Sequence, residues 1–237
     1  MERLFDRNMF IMLLSIMVGV IIITYFVADI MKNAELEKQA EEHKIEIKDL
    51  QTKNLNLLSN ILSSIGDLIR SSNYRVTGNY YFDLASIWYT TALSETNISE
   101  LEKYKTLIYD SCDDAIYNYN LSNVNYVVAK TKFQFTLTES TEEFKDLIGL
   151  YVNLTDKGAE LANLRANASM YLRYLAENVT IKNNTVAFMT NITEVQELFN
   201  ITVGLYGVLE TEYSMIEEEI EKEYNIIGFS EEREIEI

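Results

Sequence analysis

Eight asparagines in this sequence stand in the triplet Asn-x-Ser or Asn-x-Thr, the acceptor signal for N-linked sugars. Roughly three such triplets are expected by chance from the Asn, Ser and Thr content of the chain. The excess predicts a glycosylated region outside the cytoplasm. The alternative is an asparagine-rich composition that produces the triplets by accident. The predicted glycosylation sites are Asn97, Asn120, Asn153, Asn167, Asn178, Asn183, Asn191 and Asn200.

Residues that usually perform catalysis or bind metals are scarce in the chain. His43 is the only histidine, which excludes a His-rich zinc site and the paired Glu-x-x-His motifs of a di-iron bundle. Cys112 is the only cysteine and is expected to be a buried apolar residue rather than a reactive thiol. Asp110, Asp113 and Asp114 are expected to form a solvated helix face rather than a cation site. With no glycine-rich phosphate loop, we expect no catalytic residue, no metal, no cofactor and no enzymatic activity.

The charge of the chain is strongly negative, at −17 near neutral pH. Residues 194–237 alone contain thirteen acidic and two basic residues. Such a surface repels nucleic acid and anionic lipid headgroups, so neither is an expected partner. A single cysteine excludes an internal disulfide. Dense acceptor triplets without disulfides indicate a surface protein of an archaeon or of an archaeal virus.

Residues 9–27 form an uncharged apolar run of about 19 residues, long enough to span a hydrocarbon core of roughly 30 Å. A cleaved signal peptide is the alternative, but the apolar core is longer than usual and no small-x-small cleavage site follows it. The sequence therefore predicts a short cytoplasmic tail at residues 1–8 and an uncleaved transmembrane anchor at residues 9–28. The lipid bilayer is the first expected partner.

The orientation of this anchor depends on two signals that disagree. Basic residues are more numerous after the anchor than before it, which favours a cytoplasmic carboxyl part. Long domains cross the membrane largely regardless of such charges, so the acceptor triplets decide. We expect a single-pass protein of the cell membrane, with the amino end in the cytoplasm and the carboxyl domain outside.

A heptad pattern follows the anchor and predicts a helical, coiled-coil-like stalk at residues 29–55. Its apolar seam contains Leu36, Ile47 and Leu50, and the remaining positions are mostly Glu and Lys. Asn54 on the seam is of the kind that sets the register of parallel dimers. We predict that the stalk pairs with another helix, while the alternative is a solitary, solvated helix.

Residues 56–228 predict a four-helix bundle, followed by an acidic tail at residues 229–237. The chain has no proline, so long uninterrupted helices are permitted. Capping boxes are expected at Ser99 with Glu102 and at Ser140 with Glu143, and a polar loop is expected at residues 178–190. The predicted helices occupy residues 56–95, 99–138, 141–178 and 192–228. Their similar lengths of roughly 57 Å predict an all-α, up-down-up-down bundle.

Arg165 interrupts the apolar stripe of the third predicted helix. An antiparallel hairpin that turns near residue 140 would place it opposite Asp114. Because a guanidinium near a core needs a compensating partner, we predict a bond from Arg165 to Asp114, or to Asp110 or Asp113. The alternative is an arginine that extends to the surface.

The order of tail, anchor, long helix and bundle resembles the extracytoplasmic four-helix-bundle domains of chemoreceptors. That resemblance is architectural and implies a sensor, but no second membrane span or signalling module follows Gly228. We expect instead a structural or interaction subunit of a cell-surface layer or membrane complex. An accessory subunit of a membrane enzyme is a further alternative. Since glycans obstruct close packing, the stalk and lower bundle are expected to contact a membrane protein or another copy.

Overall fold

The computed structural model describes the backbone of residues 2–223 and the side chains of Thr24 and of residues 31–33, 35–142 and 144–222. This part of the chain contains four helices and one β-hairpin, which confirms the predicted helical class. The elements are α1 (Glu2–Ala92), α2 (Ile98–Glu139), α3 (Glu142–Glu177), β1 (Val179–Lys182), β2 (Thr185–Phe188) and α4 (Thr193–Glu223).

Several predicted segments fall wholly or largely outside this description. The side chains of the predicted cytoplasmic tail at residues 1–8 and, apart from Thr24, those of the predicted anchor at residues 9–28 lie outside the described residues. The predicted end of the fourth helix at residues 224–228 and the predicted acidic tail at residues 229–237 lie outside them as well. Among the residues that are described, no helix has both the length and the apolar character needed to cross a membrane.

The chain divides into two compact units, residues 1–56 and residues 57–237. In the first unit the described side chains lie on α1 and are exposed, including the predicted seam residues Leu36, Ile47 and Leu50, which are 53–56% exposed. Lys38 and Glu42 pair one turn apart at 3.8 Å, and both are well exposed. The pairing of this stalk with another helix stays a prediction.

In the second unit, residues 57–92 of α1 and the other three helices surround one interior. Between α2 and α3, Lys130 Nζ lies 2.6 Å from Asp156 Oδ1 and Arg173 Nε lies 3.2 Å from Asp113 Oδ1. The earlier residue on α2 pairs with the later residue on α3, so these two helices are antiparallel. Lys157 joins α3 to α4, and Asn79 joins α1 to α2 through the hydroxyl of Tyr119. The result is a helical bundle.

The interior of the bundle contains two apolar clusters. One lies towards the hairpin and includes Leu101, Ile108 and Leu172, all at most 1% exposed. The other lies towards the opposite end and includes Phe133 and Leu161, both fully buried. Such burial is the principal force that holds a bundle without disulfides together.

Two glycines allow tyrosine rings to approach the backbone of neighbouring helices. A Cβ at Gly78 would lie 2.8 Å from the ring of Tyr119, and one at Gly158 would lie still closer to the ring of Tyr126. Both distances are far below van der Waals contact, so no side chain fits there. Gly78 and Gly158 therefore set the close packing of α2 against α1 and α3.

The polar loop expected at residues 178–190 is instead a two-stranded antiparallel hairpin, so the prediction was wrong there. Val179 pairs with Phe188 and Lys182 with Thr185 across a two-residue turn. That turn is made by Asn183 and Asn184, whose φ angles of 54° and 59° suit the left-handed turn that tight hairpins use. One strand begins with the buried Val179, and Ile181, Val186 and Phe188 pack against the adjacent core cluster.

The two predicted capping boxes were also wrong. Asn97, rather than Ser99, caps α2, because its side chain accepts a hydrogen bond from the backbone N–H of Ser99. Thr141, rather than Ser140, precedes α3 and makes no capping bond through its side chain, while Ser140 ends α2. An asparagine two residues before a serine competes successfully with it as a cap.

Candidate functional site

The asparagines of the acceptor triplets are distributed over three helices and four connecting segments at the hairpin end. Seven of the eight are exposed: Asn97, Asn120, Asn153, Asn167, Asn183, Asn191 and Asn200. Asn97 precedes α2, Asn183 is in the hairpin turn, and Asn191 precedes α4. Exposure is required of an amide nitrogen that is to hold a hydrated sugar.

Asn178 differs from the other seven because it is only 7% exposed. Its Nδ2 donates to the carbonyl of Tyr174 at 2.9 Å, and its Oδ1 accepts from the hydroxyl of Thr190 at 2.6 Å. Its backbone carbonyl also accepts from the N–H of Met189 at 2.8 Å. A sugar on this nitrogen would replace one of its two hydrogens and require a buried residue to turn outwards. Asn178 therefore acts as a structural link between α3 and the hairpin.

Where a triplet lies within a helix, the hydroxyl residue two positions later is buried. Its hydroxyl serves the fold: Ser122 Oγ donates to the carbonyl of Ser71 on α1 at 2.8 Å. In the other three cases the hydroxyl donates to the carbonyl one turn earlier in the same helix. The four residues are Ser122, Thr155, Ser169 and Thr202. These hydroxyls thus have a structural reason to be present, independent of glycosylation.

A cluster of arginine and tyrosine side chains lies between the two apolar clusters. Arg75 Nη1 lies 3.4 Å from the hydroxyl of Tyr206 and 3.5 Å from Glu210 Oε1. Asn79 donates to the hydroxyl of Tyr206 and accepts from the hydroxyl of Tyr119 at 2.7 Å. These bonds join α1, α2 and α4 through a polar layer, since buried polar groups need such partners.

Arg165 belongs to this same cluster, and the predicted bond to Asp114 or its neighbours was wrong. Its guanidinium lies over the rings of Tyr206 and Phe82, at 3.9 and 4.5 Å from their centroids. Asp113 pairs instead with Arg173, two turns further along α3. The predicted register of α2 against α3 was therefore wrong, because the lengths of these two helices do not fix how far one is shifted along the other.

The cluster has the chemistry of a structural layer. The Nε atoms of Arg75 and Arg165 are buried without a hydrogen-bond partner among the described residues, and each guanidinium faces an aromatic ring. Burial raises the pKa of Tyr119 and of Tyr213 above the usual value of 10.0, so both hydroxyls stay protonated at neutral pH. Sequence reasoning missed the cluster, although two arginines at apolar-stripe positions were the available signal.

The other groups that could be reactive are the thiol of Cys112 and the side chains that could bind a metal ion. Cys112 is fully buried, and burial together with nearby Asp113 raises the pKa of its thiol from 9.0 to about 12. Such a thiol is protonated at neutral pH and is a poor nucleophile. Within the described part of the chain, no three His, Cys, Asp or Glu side chains are grouped so that they could hold a metal ion.

Comparison with protein-family models, with curated proteins and with solved structures finds no match for this chain.

Proposed function

We propose that this chain is a membrane-anchored glycoprotein whose helical bundle lies outside the cytoplasm and serves as a structural or interaction subunit. Its place is a cell-surface layer or a membrane protein complex. The anchor is residues 9–28, which continue into a coiled-coil-like stalk and the up-down-up-down bundle. The function is binding and positioning rather than catalysis.

The observation that supports this proposal is the exposure of seven acceptor asparagines around a closed bundle. They lie on α2, α3, α4 and the hairpin end, whereas α1 contains no acceptor triplet at all. Three of the seven, Asn97, Asn183 and Asn191, lie at the end where α1 and α3 finish and α2 and α4 begin. Sugars there would face the exterior, and the sugar-free stalk, α1 and lower bundle would remain available to a neighbour.

The interior also favours a structural role over catalysis. Its polar groups form a layer in which hydrogen bonds link Arg75 and Asn79 to the hydroxyls of Tyr206 and Tyr119. A bundle of this kind is held in one register by the layer while the apolar clusters supply stability.

Cysteine labelling in intact cells tests the exterior location. Lys103 is an exposed position on α2, with 65% of its side chain accessible, so Lys103→Cys is expected to react with a membrane-impermeant maleimide. The native Cys112 is buried, so it is not expected to react with the maleimide. Asp6→Cys in the predicted cytoplasmic tail is the matched control, and it is expected to react only after the cells are permeabilised.

The reverse pattern, with Asp6→Cys labelled in intact cells and Lys103→Cys protected, would contradict the proposal. Equal labelling of both variants in intact cells would exclude the anchor between them.

A further inference from the structure

The outward face of α1 in the second unit has a long, exposed apolar stripe. Its members follow one another at intervals of four or seven residues, so they share one face of the helix. They extend along about 44 Å of helix at the usual rise per residue. The stripe consists of Leu58, Leu62, Ile69, Val76, Tyr80 and Ile87, which are 48–61% exposed.

The charge of this part of α1 makes it suitable for contact with an identical helix. The charged residues of the segment 57–92 are Asp67, Arg70, Arg75 and Asp83. The segment is therefore neutral, although the whole chain has a net charge of −17. Asp67 and Arg75 are buried, which leaves one exposed residue of each sign. In a pair of these faces the like-charged contact is limited to Asp83 beside the stripe, whereas the acidic remainder of the chain would impose a much broader repulsion.

The other apolar stripes of the bundle are less suitable for a pair. On α2, Asn120 lies three residues after Tyr117 and four before Val124, so a sugar on it would cover that stripe. On α4, Glu212 lies between Val208 and Met215, and α4 contains nine acidic residues against Lys222. Two α4 faces would repel each other more strongly than two α1 faces, because the α1 segment at residues 57–92 has one exposed acidic residue, Asp83, and no acceptor triplet.

The size of the α1 stripe also matches what a dimer needs. At roughly 100 Å² of exposed surface for each half-exposed large apolar side chain, the six residues of two copies supply about 1,200 Å². That value is the lower limit for specific, stable interfaces, and smaller neighbours on the same face add to it. Gly66 is one such neighbour: a Cβ there would meet no atom within 4 Å, so its missing side chain has no packing role within the described chain.

We infer that the α1 stripe is the contact surface between two copies of this chain, which pair in parallel about a two-fold axis. In that arrangement each stripe residue lies opposite its own counterpart. The inference deepens the proposed function, because it names the partner of the sugar-free face. The parallel orientation rests on that proposal, since both copies would be anchored at the same end, and so does the exclusion of the α2 stripe by a sugar on Asn120.

Disulfide cross-linking of the full chain in its native membranes and after extraction in mild detergent tests this inference. Leu62 lies near one end of the stripe, so Leu62→Cys meets itself in a parallel pair but lies far from itself in an antiparallel one. Val124→Cys on α2 and Val208→Cys on α4 are controls of matched exposure, at 59% and 63%. Under mild oxidation we expect at least about tenfold more dimer from Leu62→Cys than from either control.

A second variant tests the same face without a new thiol. Val76→Glu would place two carboxylates against each other across the two-fold axis, so the dimer dissociation constant is expected to rise at least about 100-fold. Val76 is 59% exposed, so helix content and melting temperature of the single bundle are expected to remain unchanged.

The inference is overturned if Leu62→Cys cross-links no better than the controls, or if its cross-linked product contains a different protein. It is equally overturned if Val76→Glu leaves the mass in sedimentation unchanged. Protection of Lys103→Cys from external maleimide would instead contradict the exterior location and would leave a cross-linked pair intact, so the two failures are distinguishable.

Discussion

At the scale of single residues, burial separates side chains that the sequence presents as equivalent. Asn178 and Asn183 are both acceptor asparagines, yet one is a buried link and the other forms an exposed turn. Residues two positions apart in a helix differ by about 200° in direction, so an exposed asparagine followed by a buried hydroxyl is a natural pair. Ser122, Thr155, Ser169 and Thr202 each occupy that buried position. Tests of glycosylation in the helices should therefore replace the asparagine, which leaves the core unchanged.

The buried thiol of Cys112 predicts how stability depends on pH. Its pKa is raised from 9.0 to about 12, so between these values only the unfolded chain releases this proton. Below pH 9 the thiol does not change the free energy of unfolding. Between pH 9 and about pH 12 it lowers that free energy by about 1.4 kcal/mol for each pH unit. Urea unfolding between pH 8 and pH 11 is expected to show a shallower decline for Cys112→Ala than for the native chain.

The comparison between these two proteins isolates the thiol. Buried tyrosines such as Tyr119 and Tyr213 also destabilise the fold above pH 10, because their pKa values are raised by burial, but they do so equally in both proteins. Parallel pH profiles for the native chain and Cys112→Ala would contradict the expectation.

At the scale of elements, the glycines of the bundle differ in which atoms an added Cβ would contact. Gly78→Ala and Gly158→Ala would each drive a methyl group into a tyrosine ring, and each is expected to lower the free energy of unfolding by about 1–3 kcal/mol. Gly149 on α3 is the matched control, since a Cβ there would meet no atom within 4 Å. Gly149→Ala is expected to stabilise by about 0.5–1 kcal/mol through helix propensity. Chemical unfolding of the three variants checks this, and a Gly158→Ala protein more stable than the native one would refute it.

The elements also show which local signals could be interpreted from the sequence. The three- and four-residue spacing of apolar positions located α2, α3 and α4, since the pattern persists over many turns. The hairpin was missed because each strand has only four residues, too few for an alternating pattern to stand out. Its signal was the pair Asn183 and Asn184 between two β-branched runs, a sequence that suits a tight turn.

At the scale of the whole molecule, the number of bundle helices, the bounds of α2 and α3 and the start of α4 could be predicted to within one residue, whereas the relative heights of the helices could not. Arg165 was placed opposite Asp114, but it contacts Phe82 and Tyr206, because the register of α2 against α3 depends on the packing of Tyr126 on Gly158 and similar contacts. Contacts of this kind arise between distant parts of the chain and leave no periodic signal in it. The polar cluster was missed for the same reason.

The most direct test of the proposal that the bundle lies outside the cytoplasm and holds sugars is glycopeptide mapping of the chain purified from its native membranes. Sugars are expected on the exposed asparagines, foremost Asn97, Asn183 and Asn191 near the hairpin end, while the peptide that contains Asn178 should be unmodified at that residue. Unmodified asparagines throughout the chain, or a sugar on Asn178 with Asn97, Asn183 and Asn191 bare, would contradict this account.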